Sequence, residues 1–284
     1  MGELLANDAA REFAYSAADF QVVQQLLLQW AGIKLAPSKD AMVYSRLVRR
    51  VRALSLPSIS AYLHYVQQTQ AEQQQFINAL TTNLTSFFRE SHHFSVLATF
   101  LAEYPGPRRI WCAASSTGEE PYSIAMTVAD VFGRFDVPVE IIASDIDSQV
   151  LAAAAQGVYR MERIQNLSDR QRQQYFLRGK GQNQGLVKVR SELQRMIEFR
   201  QINLLAADWG IKAPVDVIFC RNVMIYFDKN VQEKVLGQMV QLLPPHGLYI
   251  AGHSENFAHC RHLVHPIGKT VYRRATAVPG VRHD

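Results

Sequence analysis

The segment Ser115-Ser116-Thr117-Gly118-Glu119-Glu120 places a glycine and two carboxylates just before an apolar, helix-spaced run that begins at Pro121. Gly118 allows a tight turn. Ser116-x-x-Glu119 and Thr117-x-x-Glu120 both have capping-box spacing, in which a hydroxyl and a carboxylate satisfy the orphan donors of a helix start. The segment lacks G-x-G-x-x-G, and two acids at a helix N-terminus would repel a pyrophosphate, so a nicotinamide dinucleotide is disfavoured. Two acids suit a cationic ligand instead, such as a sulfonium carrying an α-amino group. The plainer reading is that both only complement the helix dipole. The segment alone leaves both readings open.

Three further segments end apolar runs with polar residues. Asp145 closes Val139-Glu140-Ile141-Ile142-Ala143-Ser144, where an acid can accept hydrogen bonds from both hydroxyls of a ribose. Asp147 has the spacing to cap the next helix. Asn203-Leu204 follows Ile197–Ile202 and reads equally as an ordinary turn. Arg221-Asn222, with Tyr226 after it, follows Val215-Asp216-Val217-Ile218-Phe219-Cys220. A backbone and amide platform there could hold an adenine edge or a methionine end, or Asn222 could simply cap a helix.

These segments need a scaffold that brings them together. From about Arg108 onward, strand-like runs alternate with helical ones: Arg109–Ala113, a helix over Pro121–Phe132, Val139–Asp145, a helix near Val150–Ala155, Ile197–Ile202, Val215–Cys220, a helix over Val231–Leu242, and Gly247–Ala251. Such alternation implies βαβ units, an α/β class and a mostly parallel, doubly wound, Rossmann-like sheet. Ligands bind such sheets at the carboxyl ends of the strands, so the polar segments should meet. Residues 160–195 break the rhythm. Arg178-Gly179-Lys180-Gly181 and Gly185-Leu186-Val187-Lys188-Val189 predict an inserted hairpin or small antiparallel sheet.

The first third reads as all-α. Helices are expected over Phe20–Ala31, ending at Gly32, over Lys39–Leu54, from a cap at Ser60, and over Ala71–Thr81. The expected organisation is a helical domain over 1–85, a linker and connecting helix over 86–106, and the α/β domain over 107–284 with its insert at 160–195. Arg46, Arg49, Arg50 and Arg52 fall on one side of the second helix, with Val43, Leu47, Val48, Val51 and Leu54 on the other. That is an amphipathic helix with a solvated face. Residues 34–54 also hold six Lys or Arg against one Asp, which favours an acidic partner.

Composition narrows the classes. The 284 residues are 48% hydrophobic and 19% charged, enough for packed cores. The net charge of +5 is compatible with an acidic protein or a nucleic acid, or with a plain basic protein. Cys112, Cys220 and Cys260 form no C-x-x-C pair, so neither a disulfide framework nor a structural zinc is expected, and a reducing, cytoplasmic location is the simplest reading. Met1–Ala6 lacks the basic start and apolar run of a signal peptide, and no stretch has the ~20 apolar residues of a membrane helix. His253, His259, His262 and His265 do not have metal-ligand spacing, so no metal is expected.

Five segments carry a family resemblance: Asn83-Leu84-Thr85-Ser86-Phe87-Phe88-Arg89-Glu90, Ser116–Ser123, Ala143-Ser144-Asp145-Ile146-Asp147, Phe219–Phe227 and Gly252-His253-Ser254-Glu255-Asn256. Together they resemble the CheR family of chemotaxis receptor glutamate methyltransferases, over about residues 20–273. The resemblance implies S-adenosyl-L-methionine as cofactor, with S-adenosyl-L-homocysteine as product. It implies that Asn83, Thr85 and Arg89 reach over the cofactor, that Glu120 contacts the methionine amino end and Asp145 the ribose, and that Asn203, Leu204, Arg221 and Asn222 complete the pocket. Tyr226 and Arg89 would lie near the transferred methyl as the catalytic pair, Arg89 orienting the substrate. Glu119 would serve as the capping partner. The implied partner is the cytoplasmic domain of a methyl-accepting receptor, met by Arg46, Arg49, Arg50 and Arg52, with Arg178, Gly179 and Lys188 of the insert docking a receptor C-terminal peptide. A monomer without nucleic-acid partner or membrane insertion is expected. The competing readings are a methyltransferase acting on RNA or a small molecule, and a non-catalytic receptor-binding adaptor.

Overall fold

Ser16 starts the first helix by accepting from the Asp19 amide while the Asp19 carboxylate accepts from the Ser16 amide, and Gly32, at φ 70°, ends it. The computed structural model describes residues 11–106 and 108–275, so the reading of Met1–Ala6 and the outer ends of the expected domains lie outside the described residues. The chain divides into two units, Met1–Thr82 and Asn83–Asp284.

The first unit holds α1 (Ala17–Ala31), α2 (Asp40–Ala53), α3 (Ile59–Gln68) and α4 (Gln70–Leu80). Val23, Leu27, Val43, Leu47, Val51, Tyr62, Val66 and Phe76 form its fully buried core. The cap of α3 is Ser58, not Ser60: the Ser58 hydroxyl accepts from the Ala61 amide. The arginine face of α2 is only partly free. Arg46 donates to the carbonyls of Ala79 and Thr81 at the end of α4. Arg50 grips the buried Glu72 with two bonds of 2.8 and 2.7 Å, and the Tyr62 hydroxyl donates to the same carboxylate. Arg52 pairs with Glu12. Arg49 is exposed. The helical spacing could not reveal this, because the partners of Arg46 and Arg50 sit on another helix.

The second unit opens with α5 (His92–Glu103) and then alternates: β1 (Arg108–Cys112), α6 (Glu119–Phe132), β2 (Val139–Asp145), α7 (Ser148–Gln156), and, after an insert, β6 (Ile197–Gln201), β7 (Val217–Cys220), α10 (Lys229–Leu242) and β8 (Leu248–Ala251). A hairpin of β9 (Val264–Gly268) and β10 (Val271–Arg274) follows. These make one seven-stranded sheet in the order β6-β2-β1-β7-β8-β10-β9, parallel except for β9 and β10. The hairpin was not foreseen, because Val264–Arg274 contains Pro266, Gly268 and several charges and does not read as strand. The order reverses between β1 and β7, and their carboxyl ends are therefore where a ligand belongs.

The insert is a second sheet of three antiparallel strands, β3 (Val158–Arg160), β5 (Leu186–Val189) and β4 (Phe176–Arg178), with β5 in the middle. Two short helices flank it, α8 (Asp169–Tyr175) and α9 (Ser191–Gln194). It is thus one strand richer than a hairpin and starts at Val158. Gly179 fits its turn because a Cβ there would stand 2.1 Å from the Asn183 carbonyl oxygen.

Candidate functional site

The turn after β1 is built on Asp145. The Ser116 amide donates to its Oδ2 at 2.8 Å and the Asp147 amide to its Oδ1 at 3.0 Å. Burial pushes the Asp145 carboxyl up to about 6, against the pull of those backbone donors. The Ile146 amide is a third backbone donor to this carboxylate, whose two oxygens offer about four acceptor positions and so keep capacity for a hydroxyl of a ligand. Asp147 caps α7 by accepting from Gln149 and Val150. Its other oxygen accepts from Asn83 Nδ2 at 2.9 Å, and the Asn83 carbonyl accepts from the Ser116 hydroxyl at 3.0 Å. Asn83 is thereby tied to both acidic strand-end segments.

The two glutamates at the start of α6 do different work from the expected capping boxes. Gly118, at φ 98°, is the N-cap, and no side chain caps the helix. Gly118 is required by packing as well, since a Cβ would lie 2.7 Å from the Tyr159 hydroxyl and 2.9 Å from Ala154 Cβ. Glu119 accepts from Thr117 Oγ1 at 2.6 Å and is paired with Arg163, whose Nη2 also donates to the Thr85 carbonyl. Glu120 accepts from Arg221 Nη1 at 2.5 Å and from the Cys112 thiol at 3.3 Å. Burial, then the nearby Glu120 charge, push the Cys112 thiol well up, so it is a neutral donor. Each of the two glutamates carries an arginine of its own, which their spacing in the sequence does not show.

Arg221 is the electrostatic hub. Its side chain is 1% exposed and spans Glu120, Glu90 at 3.3 Å and the Arg89 carbonyl at 2.6 Å. Burial opposes its charge, but Glu120 and Glu90 more than offset this and raise its pKa. Glu90 is lowered despite burial, by Arg221 and by the backbone of His253. His93, buried beside this group and hydrogen-bonded to Thr270 Oγ1 at 2.8 Å, is driven down to about 4 by burial and then by Arg221, and stays neutral. The Arg89 guanidinium turns back to the Leu84 carbonyl at 2.8 Å and lies 3.9 Å from Glu90. Arg89 is one-third exposed and Tyr226 is half-buried.

Asn203 Oδ1 accepts from the Leu205 amide, the ordinary turn weighed above, and Leu204 is buried. The Ile202 amide donates to the Asp145 carbonyl, which sets this turn beside β2. Asn222 does not cap a helix. The amides of Val223 and Met224, at the start of the short turn Met224–Tyr226, are taken by Glu255. The structure thus brings together Asn83, Thr85, Arg89, Glu120, Asp145, Asn203, Leu204, Arg221 and Asn222 around the ends of β1, β2, β6 and β7. It does not bring Arg178, Gly179 and Lys188 there. Those lie on the insert, where Lys188 is exposed on β5 and Arg178 is exposed on the edge strand β4.

Six described non-glycine residues have positive φ, and four of them, Phe88, Glu90, Ser116 and Asn222, belong to the Asn83–Glu90 segment and the loops after β1 and β7. Backbone held in that region costs about 1–3 kcal/mol per residue and concentrates at ligand clamps. The Ser115 hydroxyl, in the β1 turn, is buried with no hydrogen-bond partner among the described residues. Both features fit a polar ligand seated at the strand ends.

Sequence reading missed several contributors. Glu90 and Glu255 stood inside quoted motifs but had no role, because their partners are backbone amides and a distant arginine. Arg163 and Tyr159 come from the insert. The Tyr159 hydroxyl donates to the Thr117 carbonyl at 2.7 Å, and Asn166 to the Phe87 carbonyl at 2.8 Å. Nothing local in the sequence signals that the insert braces the turn after β1.

Two family models match this chain: the CheR methyltransferase all-alpha domain over residues 18–81, and the CheR methyltransferase SAM binding domain over residues 83–273. The chain belongs to the CheR methyltransferase family. Its CheR SAM-binding domain thus contains all the strand-end residues assembled above, and S-adenosyl-L-methionine is the cofactor this CheR fold serves. The chain is 54% identical over 93% of its length to chemotaxis protein methyltransferase 2 of Pseudomonas aeruginosa, covering 96% of that protein. It is 51% identical to the chemotaxis protein methyltransferase of Escherichia coli, over 91% of each chain. The enzyme of that name from Salmonella typhimurium is also 51% identical, over 92% of each chain.

Proposed function

We propose that this CheR-family protein transfers the methyl group of S-adenosyl-L-methionine to glutamate carboxylates on the cytoplasmic domains of chemotaxis receptors. The observation that carries this reading is a pair of hydrogen-bonded groups at the switch point of the sheet, one joining Asn83, Ser116, Asp145 and Asp147 and the other joining Glu120 to Arg221. The family assignment and the names of the relatives support the substrate class.

The cofactor supplies an activated methyl: a carboxylate oxygen of the substrate forms the new O–CH3 bond as the S–CH3 bond breaks, leaving S-adenosyl-L-homocysteine and a glutamyl methyl ester. A glutamate carboxylate is already ionised near pH 7, so no general base is needed. The chain's own work is positioning and exclusion of water. Asp145 accepts the ribose hydroxyls. Glu120, held by Arg221 and Cys112, accepts from the amino group. Asn222 and the Asn203–Leu204 turn complete the pocket. Arg89, one-third exposed and bonded through its own carbonyl to Arg221, orients the incoming carboxylate. Tyr226 stands on the short turn after β7, near the methyl.

The insert serves as a second docking site in this reading. The outer edge of β4 carries no strand partner among the described residues. Beside it lies a cavity of about 570 Å³ lined by Met161, Ile164, Phe176 and Val187 with Arg172 and Arg178. An extended receptor tail with an apolar and an acidic residue would add a strand there. Exposed Arg49 of α2 would meet the acidic receptor helices.

The test is incubation with labelled S-adenosyl-L-methionine and a receptor cytoplasmic fragment, followed by mass spectrometry of the fragment. Methyl groups on glutamate are expected. Methyl groups absent from protein, or found on RNA, would reject the reading.

A further inference from the structure

The motif Gly252-His253-Ser254-Glu255-Asn256 takes no part in the scheme so far, yet Glu255 is among the most heavily bonded side chains in the domain. It is 5% exposed. Its Oε2 accepts from the Gly252 amide at 2.5 Å and the Asn222 amide at 3.0 Å, and its Oε1 accepts from the Val223 amide at 3.0 Å and the Met224 amide at 2.8 Å. The parallel pairing of Cys220 with Ala251 explains how it gets there: the residues that follow each strand emerge side by side. A turn closed by the Glu255 amide on the Gly252 carbonyl folds the carboxylate back across the end of β8 onto the loop after β7.

Those amides belong to the segment that must be held. Asn222 sits at φ 58°, a conformation a non-glycine residue keeps only when its surroundings impose it. Val223 and Met224 begin the turn that ends at Tyr226. Gly252 has no room for a side chain: a Cβ would lie 2.3 Å from Asn222 Nδ2 and 2.8 Å from the Asn222 amide nitrogen. One carboxylate therefore fixes three successive amides of the loop, and the glycine beside it lets Asn222 approach.

We infer that Glu255 is a positioning residue for methyl transfer, acting through the backbone of Asn222–Met224 to set both the Asn222 side of the cofactor pocket and the placement of Tyr226. This rests on the reading of the strand ends as the cofactor site. It makes Glu255 a determinant of cofactor affinity without contact with the cofactor. A glutamine of the same shape cannot replace it, since one of its two ends is a donor and would face amide donors.

The test compares the full chain with Glu255→Gln, Asn222→Ala and the combined variant. Affinity for S-adenosyl-L-homocysteine is measured by calorimetry well below each melting temperature. Glu255→Gln is expected to weaken binding roughly tenfold or more, as small misplacements of positioning groups do. The combined variant should bind no more weakly than Asn222→Ala, because both changes act on one loop. Losses that multiply, or an unchanged affinity for Glu255→Gln, overturn the inference. A parent protein that does not bind S-adenosyl-L-homocysteine at all removes the cofactor reading, and this inference with it.

Should Glu255→Gln not fold, the unaltered protein gives the answer by amide NMR across an acid titration. The amides of Gly252, Asn222, Val223 and Met224 should move with one shared midpoint, and saturating S-adenosyl-L-homocysteine should shift it, because coupling between a positioning group and its ligand is reciprocal. Separate midpoints, or a midpoint indifferent to ligand, overturn the inference.

Discussion

Arg221 Nη1 lies 2.5 Å from Glu120 Oε2, with both side chains almost fully out of water, and this pair ties the end of β7 to the first turn of α6. Glu90 and the Arg89 carbonyl share the same guanidinium. The Asn83–Glu90 segment, the α6 turn and the β7 loop are thereby joined at one cation. Removing that cation leaves two carboxylates buried beside each other. Arg221→Ala is therefore expected to cost about 3–5 kcal/mol of stability, as for other broken buried pairs. Urea unfolding followed by circular dichroism measures this, and a cost below about 1 kcal/mol would show that the site relaxes without its hub.

The brace from the insert gives a second prediction. Arg163 is 42% exposed while its partner Glu119 is 1% exposed. Arg163→Ala should cost about 1–3 kcal/mol, less than a fully buried pair because water already screens one partner. It also removes the bond to the Thr85 carbonyl. S-adenosyl-L-homocysteine binding should weaken together with the melting temperature. Weakened stability with intact binding would separate the brace from the pocket.

Asp145 gives a pH dependence whose sign follows from its burial. Its free carboxyl is raised to about 6. Ribose hydroxyls bound there would donate to the ionised form and so would lower that pKa in the complex. Binding must then release a proton whenever Asp145 is protonated, and affinity falls as pH drops through about 6. The dissociation constant for S-adenosyl-L-homocysteine should rise roughly tenfold between pH 7 and pH 5, the most one such group can contribute per pH unit of excess. Asp145→Asn should bind weakly at every pH with little dependence. An affinity that is flat over that range in the unaltered protein would show that Asp145 does not take the hydroxyls.

Legibility followed how far each signal travels along the chain. The β1, β2, β7 and β8 runs were readable because a sheet covered on both faces demands nearly continuous apolar strands. Asp145 was readable because it ends such a strand. Glu119 was misread as a capping partner, and the arginines that hold Glu119 and Glu120, Arg163 and Arg221, stayed hidden because they lie far off in sequence and only the fold brings them near. Arg46 and Arg50 failed for the same reason: an arginine stripe on a helical wheel looks solvated until Glu72 and the end of α4 are placed beside it. The β9–β10 hairpin stayed hidden because an edge pair with one exposed side tolerates Pro266 and charged residues.

That misreading sharpens the expectation for α2. Arg49→Glu should leave the melting temperature unchanged and weaken binding to an acidic receptor fragment in a salt-dependent way. Arg50→Glu should instead destabilise the helical unit, because it sets two carboxylates against each other at Glu72. Thermal melts and binding at two salt concentrations distinguish the cases. Binding indifferent to Arg49 would take α2 out of receptor recognition.

The most direct measurement is base lability of the product. The protein, labelled S-adenosyl-L-methionine and a receptor cytoplasmic fragment are incubated, the fragment is isolated, and mild alkali is added. A glutamyl methyl ester releases its label as volatile methanol, and Asp145→Asn in the protein should abolish the release. Label that stays on the fragment through alkali, as an N-methyl group would, or label that never reaches the fragment, would contradict glutamate esterification.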